Sequence, residues 1–82
     1  MHHIVIIAGL TWEREDNYRC TGLVIDTFDY SKTTLPEAKE ACVEQSNICG
    51  CLFINREHKV YTTHSRQDIS REEGGTAFVL YR

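Results

Sequence analysis

Four cysteines are the residues of this 82-residue chain that could carry the most chemistry: Cys20, Cys42, Cys49 and Cys51. In an oxidising compartment they would form two disulfides, for which three pairings are possible. Reduced, they would pack as small apolar side chains. A zinc site fits less well, because Cys49-x-Cys51 is not the usual C-x-x-C knuckle and no second ligand pair follows. We expect disulfides, no metal and no other cofactor; on a regular strand, Cys49 and Cys51 would point to the same face.

No residue pattern in the chain predicts catalysis. A cysteine with His58 or His64 could in principle form a thiolate–imidazole pair, but nothing in the spacing brings them together. Paired carboxylates occur only inside charged runs, as in Glu72-Glu73, where they are typical of a solvated surface. We therefore expect that the chain is not an enzyme.

A locally basic stretch in the second half of the chain is the best candidate for a ligand-binding surface. Seven side chains of a predicted hairpin and the loop after it make this stretch basic and aromatic, and the first six are the candidate ligand contacts: Arg56, His58, Lys59, Tyr61, His64, Arg66 and Arg71. Cations grouped with an aromatic ring suit sulfated glycans or acidic protein loops. Trp12 and Tyr30 could stack on a sugar, although a lone tryptophan is more often part of a core. The alternative is a solvated hairpin of mixed charge.

Composition and charge exclude several classes of protein. With 41% hydrophobic and 26% charged residues, the chain has the composition of a globular domain rather than a disordered one. Its net charge is −3, and we expect no nucleic-acid partner, because such binding needs a basic face to neutralise phosphates. A chain of this length buries one modest core and often needs disulfides, a metal or oligomerisation to be stable.

The elements that must position these side chains begin with a helix, predicted over residues 35–46. Thr34 and Glu37 form the T-x-x-E pattern of a capping box, which satisfies the first backbone donors of a helix. Pro36 suits the first turn, where its missing donor costs little. The apolar residues that recur at helical spacing are Leu35, Ala38, Ala41 and Cys42.

Short apolar runs predict the strands of an antiparallel sheet around this helix. The runs cover residues 4–7, 18–21, 23–25, 51–54, 60–63 and 76–81. The charged stretches 13–17 and 65–73 predict exposed connections, and Gly74-Gly75 predicts a turn. The expected fold is one α+β domain over residues 1–82, with a curled antiparallel sheet packed on a single helix.

The apolar run at residues 4–7 belongs either to a buried strand or to an arm that pairs with a neighbouring protomer. An apolar terminal strand can complete another sheet, so residues 4–10 are a possible homo-oligomer contact. The same run lacks the basic start and the small-residue cleavage site of a signal peptide. It is also too short to span a bilayer, and we expect no membrane insertion.

The order of these parts resembles the PAN/apple family, in which a curled antiparallel sheet cradles one helix. The resemblance covers about residues 12–82 through short segments: Gly22-Leu23-Val24-Ile25, Thr34-Leu35-Pro36-Glu37-Ala38, Cys42, Cys49-Gly50-Cys51-Leu52-Phe53, and Gly74-Gly75-Thr76 through Tyr81-Arg82. The chain departs from the family pattern at Ala38, where a second helix cysteine is usual. The partner of that cysteine also has no counterpart in residues 60–63.

The resemblance implies both a disulfide pattern and a function. Cys42 and Cys49 match the family's bridge between the helix end and the next strand, which leaves Cys20 and Cys51 to bridge if their strands are neighbours. Family members act mostly as secreted or extracellular adhesion modules that bind carbohydrate or protein. By this resemblance we expect a non-enzymatic recognition module that presents its ligand contacts on residues 55–59 and 64–75. The alternative is a structural, self-assembling subunit that pairs through residues 4–10.

Overall fold

The computed structural model describes residues 9–81 of the chain and consists there of one helix and five strands. In chain order these are β1 (Thr11–Cys20), β2 (Val24–Asp29), α1 (Leu35–Glu44), β3 (Cys49–Asn55), β4 (Val60–Ser65) and β5 (Ile69–Tyr81). The strands form one sheet in the order β1-β5-β3-β4-β2, in which every pair of neighbours is antiparallel. The α+β class is therefore confirmed. The strand expected over residues 4–7 lies outside the described residues.

The helix begins as its local sequence predicts. The Glu37 backbone N–H donates to Thr34 Oγ1 at 3.3 Å, and the Thr34 backbone N–H donates to the Glu37 carboxylate at 2.9 Å. The helix ends at Glu44, two residues before the expected end, because the Gln45 N–H turns back to the Cys42 carbonyl at 3.0 Å and tightens the last turn.

The helix packs on one face of the sheet through alternate residues of the central strands. Ala38 and Cys42 of the helix are buried against Leu52 of β3 and against Phe78 and Leu80 of β5. Leu52 and Phe78 also lie opposite each other in the β3–β5 register, so the two strands present one continuous apolar surface to the helix.

The two longest strands, β1 and β5, form a ribbon that extends beyond the sheet and bends. The expectation that residues 13–17 and 65–73 are exposed connections is wrong for most of their length, because residues 13–16 and 69–71 pair within this ribbon and only residues 66–68 connect two strands. The bend lies where Asn17 and Gly74 both have positive φ, at 67° and 83°, and where the Gly74 N–H donates to Asn17 Oδ1 at 3.0 Å. Gly74 and Gly75 are thus a kink inside β5 rather than a turn between strands.

Beyond the bend, the ribbon covers the face of the sheet opposite the helix. Tyr18 and Cys20 of β1 and Ile69 of β5 pack there on Cys51 and Val79. From Cys51 onward in β3, and in β5, residues at odd positions face this second cluster and residues at even positions face the helix, as the alternation of a strand requires. Both faces of the central strands are consequently buried.

Two disulfides fix these layers: Cys42–Cys49 joins the helix to β3, and Cys20–Cys51 joins the ribbon to β3. The first is the pair that the resemblance implied, and the second is the pair that it left over. In the sheet β5 separates β1 from β3, so the second bridge forms because the ribbon covers β3 beyond its bend. The expectation that Cys49 and Cys51 share a face is wrong, because the β3–β4 register shifts between them and Gly50 is the extra residue. Cys49 therefore joins the cluster under the helix, whereas Cys51 joins the cluster under the ribbon.

Candidate functional site

The β3–β4 hairpin forms one end of the sheet and carries three exposed side chains of the expected surface, Arg56, His58 and Lys59. The tight turn requires positive φ at Lys59, 54°, and is held by a hydrogen bond from the His58 N–H to Asn55 Oδ1 at 3.1 Å. The Tyr30 N–H donates to the Lys59 carbonyl at 3.1 Å, which attaches the segment after β2 to this turn.

An aromatic pair lies beside the hairpin turn. The rings of Tyr30 and Tyr61 have their centroids 4.5 Å apart and are tilted by 32°, and both side chains remain partly exposed. Burial raises the pKa of the Tyr30 phenol, Tyr61 adds to the increase, and the positive charge of Arg56 partly offsets it.

Arg56 is positioned by a contact across the sheet that the sequence pattern did not suggest. Its Nη1 donates to the Gly74 carbonyl at 3.0 Å, at the bend of β5. Because a guanidinium carries five N–H donors, this bond leaves further donors for a ligand while restricting the side chain. The kink in β5 therefore helps to place the central cation of the candidate surface.

The groove beside the hairpin carries charges of both signs. It has a volume of about 420 Å³ and runs between the β3–β4 turn and the bend of β5. Its charged lining residues are Arg56, His58, Glu57, Glu72 and Glu73. His58 Nε2 lies 3.8 Å from the Glu57 carboxylate. The groove itself is not a uniform basic site, because Arg56 lines it together with three glutamates and Lys59 does not line it.

His64 does not belong to this surface. It is only 7% exposed, and its ring lies between two partners: Nδ1 is 2.8 Å from the Gly22 carbonyl, and Nε2 is 2.8 Å from Thr62 Oγ1. A carbonyl only accepts, so Nδ1 carries a proton and Nε2 of the neutral ring accepts from the threonine hydroxyl. Burial lowers the pKa of His64. The expected role of His64 in ligand contact is replaced by a structural one.

Arg66 is exposed but lies at the other end of β4 from Lys59. A strand rises about 3.3 Å per residue, which places the two side chains roughly 20 Å apart. The expected loop over residues 64–75 is also absent, because β4 continues to Ser65 and β5 begins at Ile69. The structure therefore brings Arg56, His58, Lys59 and Tyr61 together and separates Arg66 from them.

Of the two aromatic residues considered for sugar stacking, Tyr30 lies at the hairpin and Trp12 does not. Trp12 packs against both clusters beneath the helix, and the Lys39 ammonium lies 5.7 Å from its ring centroid and 3.9 Å from that of Phe78. Trp12 is thus part of the core. The position of Tyr30 next to Tyr61 follows from β2 pairing with β4, a contact between segments far apart in the chain.

Within residues 9–81, no group of three or more histidine, cysteine or acidic side chains is arranged to hold a metal ion. The helix of the described chain is neither long nor apolar enough to cross a bilayer. No family model matches the chain, and neither the curated proteins nor the solved structures contain a significant match. The fold and site define a disulfide-linked α+β module with an aromatic and cationic hairpin end.

Proposed function

We propose that this chain is a non-enzymatic recognition module that binds a sulfated glycan through the hairpin end of its sheet. The observation that carries the proposal is the Tyr30–Tyr61 pair, which lies beside the hairpin turn that bears Arg56 and Lys59. Aromatic faces pack against the apolar faces of sugar rings, and arginine forms charge-assisted, often bidentate hydrogen bonds with oxyanions. An acidic protein loop would use the cations but has less need of the paired rings.

Rigid display is the mechanism that fits this surface. Tyr61 lies on β4, Tyr30 is hydrogen-bonded to the turn, and Arg56 is tied to Gly74 across the sheet. Because these side chains are held by ordered elements, little conformational entropy is lost when a ligand binds.

The resemblance to PAN/apple modules and the two disulfides support an extracellular location for this function. Disulfides persist mainly in oxidising environments, and small secreted domains depend on them for stability. Self-assembly through residues 4–10 remains the alternative function; of that segment, the structure describes Leu10, which packs against the cluster of Cys42 and Leu80.

The test is the affinity for a defined heparin-type oligosaccharide, measured by calorimetry for the wild type, Arg56→Ala and Lys59→Ala. We expect each variant to bind about tenfold more weakly, since a hydrogen bond to a charged group contributes ~1.5 kcal/mol. The affinity of the wild type should fall steeply with salt.

Arg71→Gln is the matched control, because Arg71 is an equally exposed arginine on the ribbon, away from the hairpin. Equal losses of affinity for Arg56→Ala and Arg71→Gln would show non-specific attraction and contradict the proposal. Absence of binding by the wild type would contradict it directly.

A further inference from the structure

The large apolar side chains that are exposed in residues 9–81 gather at the end of the sheet opposite the hairpin. They are Leu23, Val24, Ile48 and Tyr81, with 82%, 57%, 51% and 38% of their surface exposed. In the strand register, Val24 is opposite His64 and Tyr81 is opposite Thr11. Cys49, the residue after Ile48, is opposite Ser65. These pairings place all four at the end of β4 that is far from the hairpin.

A groove of about 960 Å³ lies at this end, between Ile48 and Tyr81. Its wall is the β4–β5 connection, which hydrogen bonds hold in place: Gln67 Nε2 donates to the Leu80 carbonyl at 2.6 Å, and the Thr21 N–H donates to the Asp68 carbonyl at 3.0 Å. Exposed apolar surface around an ordered groove is typical of a protein-binding site rather than of a solvated surface.

The groove carries one cation and one anion, Arg66 and Asp68, two positions apart on the same connection. Both are exposed, and neither takes part in an ion pair among the residues that the structure describes. A face with one charge of each sign and no net charge does not select a strongly acidic or basic partner. It is complementary to itself under a two-fold rotation, because each copy can offer its cation to the anion of the other.

We propose that this end of the sheet, defined by Ile48, Arg66, Asp68 and Tyr81, is the interface through which two copies of the chain associate. In this arrangement the two-fold rotation places each Arg66 against Asp68 of the other copy, and the partner covers the apolar side chains of Ile48 and Tyr81, which line the same groove. This inference is independent of glycan binding.

The experiment is sedimentation velocity of the whole chain from 5 µM to 1 mM. For an interface at the small end of the known range, we expect a dimer with a dissociation constant on the order of 10–100 µM. Ile48→Asp should weaken dimerisation at least tenfold without changing the melting temperature, because the side chain is exposed. Arg71→Glu is the control and should leave the dimer unchanged.

The charge pair gives a test that does not depend on the apolar variant. Arg66→Glu and Asp68→Arg should each abolish the homodimer, because each places like charges together twice. Mixing the two variants should restore a dimer containing one copy of each, since both contacts are then of opposite charge.

A wild type that stays monomeric to 1 mM would overturn the proposal, as would single charge reversals that leave dimerisation unchanged. A mixture of the two variants that does not recover the dimer would also overturn it. Dimerisation is measured without glycan, so a failure of the glycan proposal can be distinguished from a failure of the dimer proposal.

Discussion

His64 connects two segments of the chain through one imidazole ring. Its Nδ1–H donates to Gly22, which precedes β2, and its Nε2 accepts from Thr62 on its own strand. Burial opposes protonation and lowers the pKa of His64, the hydrogen bond to the Gly22 carbonyl partly offsets this effect, and the charge of Arg19 adds to it. The ring is therefore held neutral, and protonation of Nε2 would require the Thr62 hydroxyl to rotate so that it accepts instead of donates.

We expect stability to decrease as the pH falls below about 6.5, the ordinary pKa of histidine. Because the pKa of His64 is lowered in the folded protein, the unfolded chain binds a proton first, and the free energy of unfolding falls between that value and the lower folded pKa. Melting temperatures of the wild type and His64→Gln at pH 8 and pH 5 measure the effect. A decrease of equal size in the two proteins would show that other groups cause it.

At the scale of elements, the irregularities of β3 and β5 depend on two glycines for different reasons. At Gly50, a Cβ atom would lie 2.8 Å from the carbonyl carbon and oxygen of Arg66, so the backbone of the β4–β5 connection occupies the space. At Gly74, a Cβ atom would meet nothing within 4 Å, but φ is +83°. The first position excludes a side chain by contact, the second by backbone conformation.

We therefore expect Gly50→Ala to destabilise the protein by about 2–3 kcal/mol, because the backbone of residue 66 must move to accept the methyl group. Gly74→Ala should cost about 1 kcal/mol, the usual cost of a left-handed alanine. Urea denaturation of the two variants makes the comparison. Equal losses of unfolding free energy in the two variants would mean that the backbone at the bulge moves easily and does not constrain the position of residue 66.

Local patterns predicted the elements that local chemistry determines. The capping box at Thr34 and Glu37 is formed by residues three apart, and the helix begins where the sequence indicates. The charged stretches of β1 and β5 were missed because they pair with each other in a ribbon whose outer side faces solvent. The sequence does not predict that Cys49 and Cys51 face opposite sides of the sheet, because the bulge at Gly50 arises from pairing with a distant strand.

The candidate site could be predicted only in part for the same reason. Arg56, His58, Lys59 and Tyr61 are close in sequence and remain close in the fold. Whether His64 and Arg66 belong to the candidate surface depends on where β4 ends, and the sequence has no turn signal at that point. The contact of Arg56 with Gly74 joins residues 18 positions apart and is created by the bend of the ribbon.

At the scale of the whole molecule, the two disulfides hold different layers and close loops of different length. Cys20–Cys51 spans 31 residues and fixes the ribbon, whereas Cys42–Cys49 spans 7 and fixes the helix end. On the chain-entropy estimate they contribute about 3.7 and about 2.5 kcal/mol, because the longer loop restricts the unfolded chain more.

We expect the pair of substitutions Cys20→Ser and Cys51→Ser to lower the free energy of unfolding more than Cys42→Ser with Cys49→Ser. Denaturant unfolding of the two double variants under the same conditions gives both values. If the variant that lacks the Cys42–Cys49 bridge lost more free energy of unfolding, the entropic explanation would be contradicted. The attachment of the helix to β3 would then account for the greater part of the stabilisation.

The bulge at Gly50 also decides which sulfur atoms can combine. Cys42 is 7 residues from Cys49 and 9 from Cys51, and this difference changes the entropy of ring closure by only about 0.2 kcal/mol. Chain length therefore does not discriminate between the native isomer and its nearest competitor. The discrimination arises when β3 has paired with β4 and its two thiols point to opposite layers. Correct oxidation of this protein is thus a consequence of sheet assembly, and the bonds preserve an arrangement that the strands have already selected.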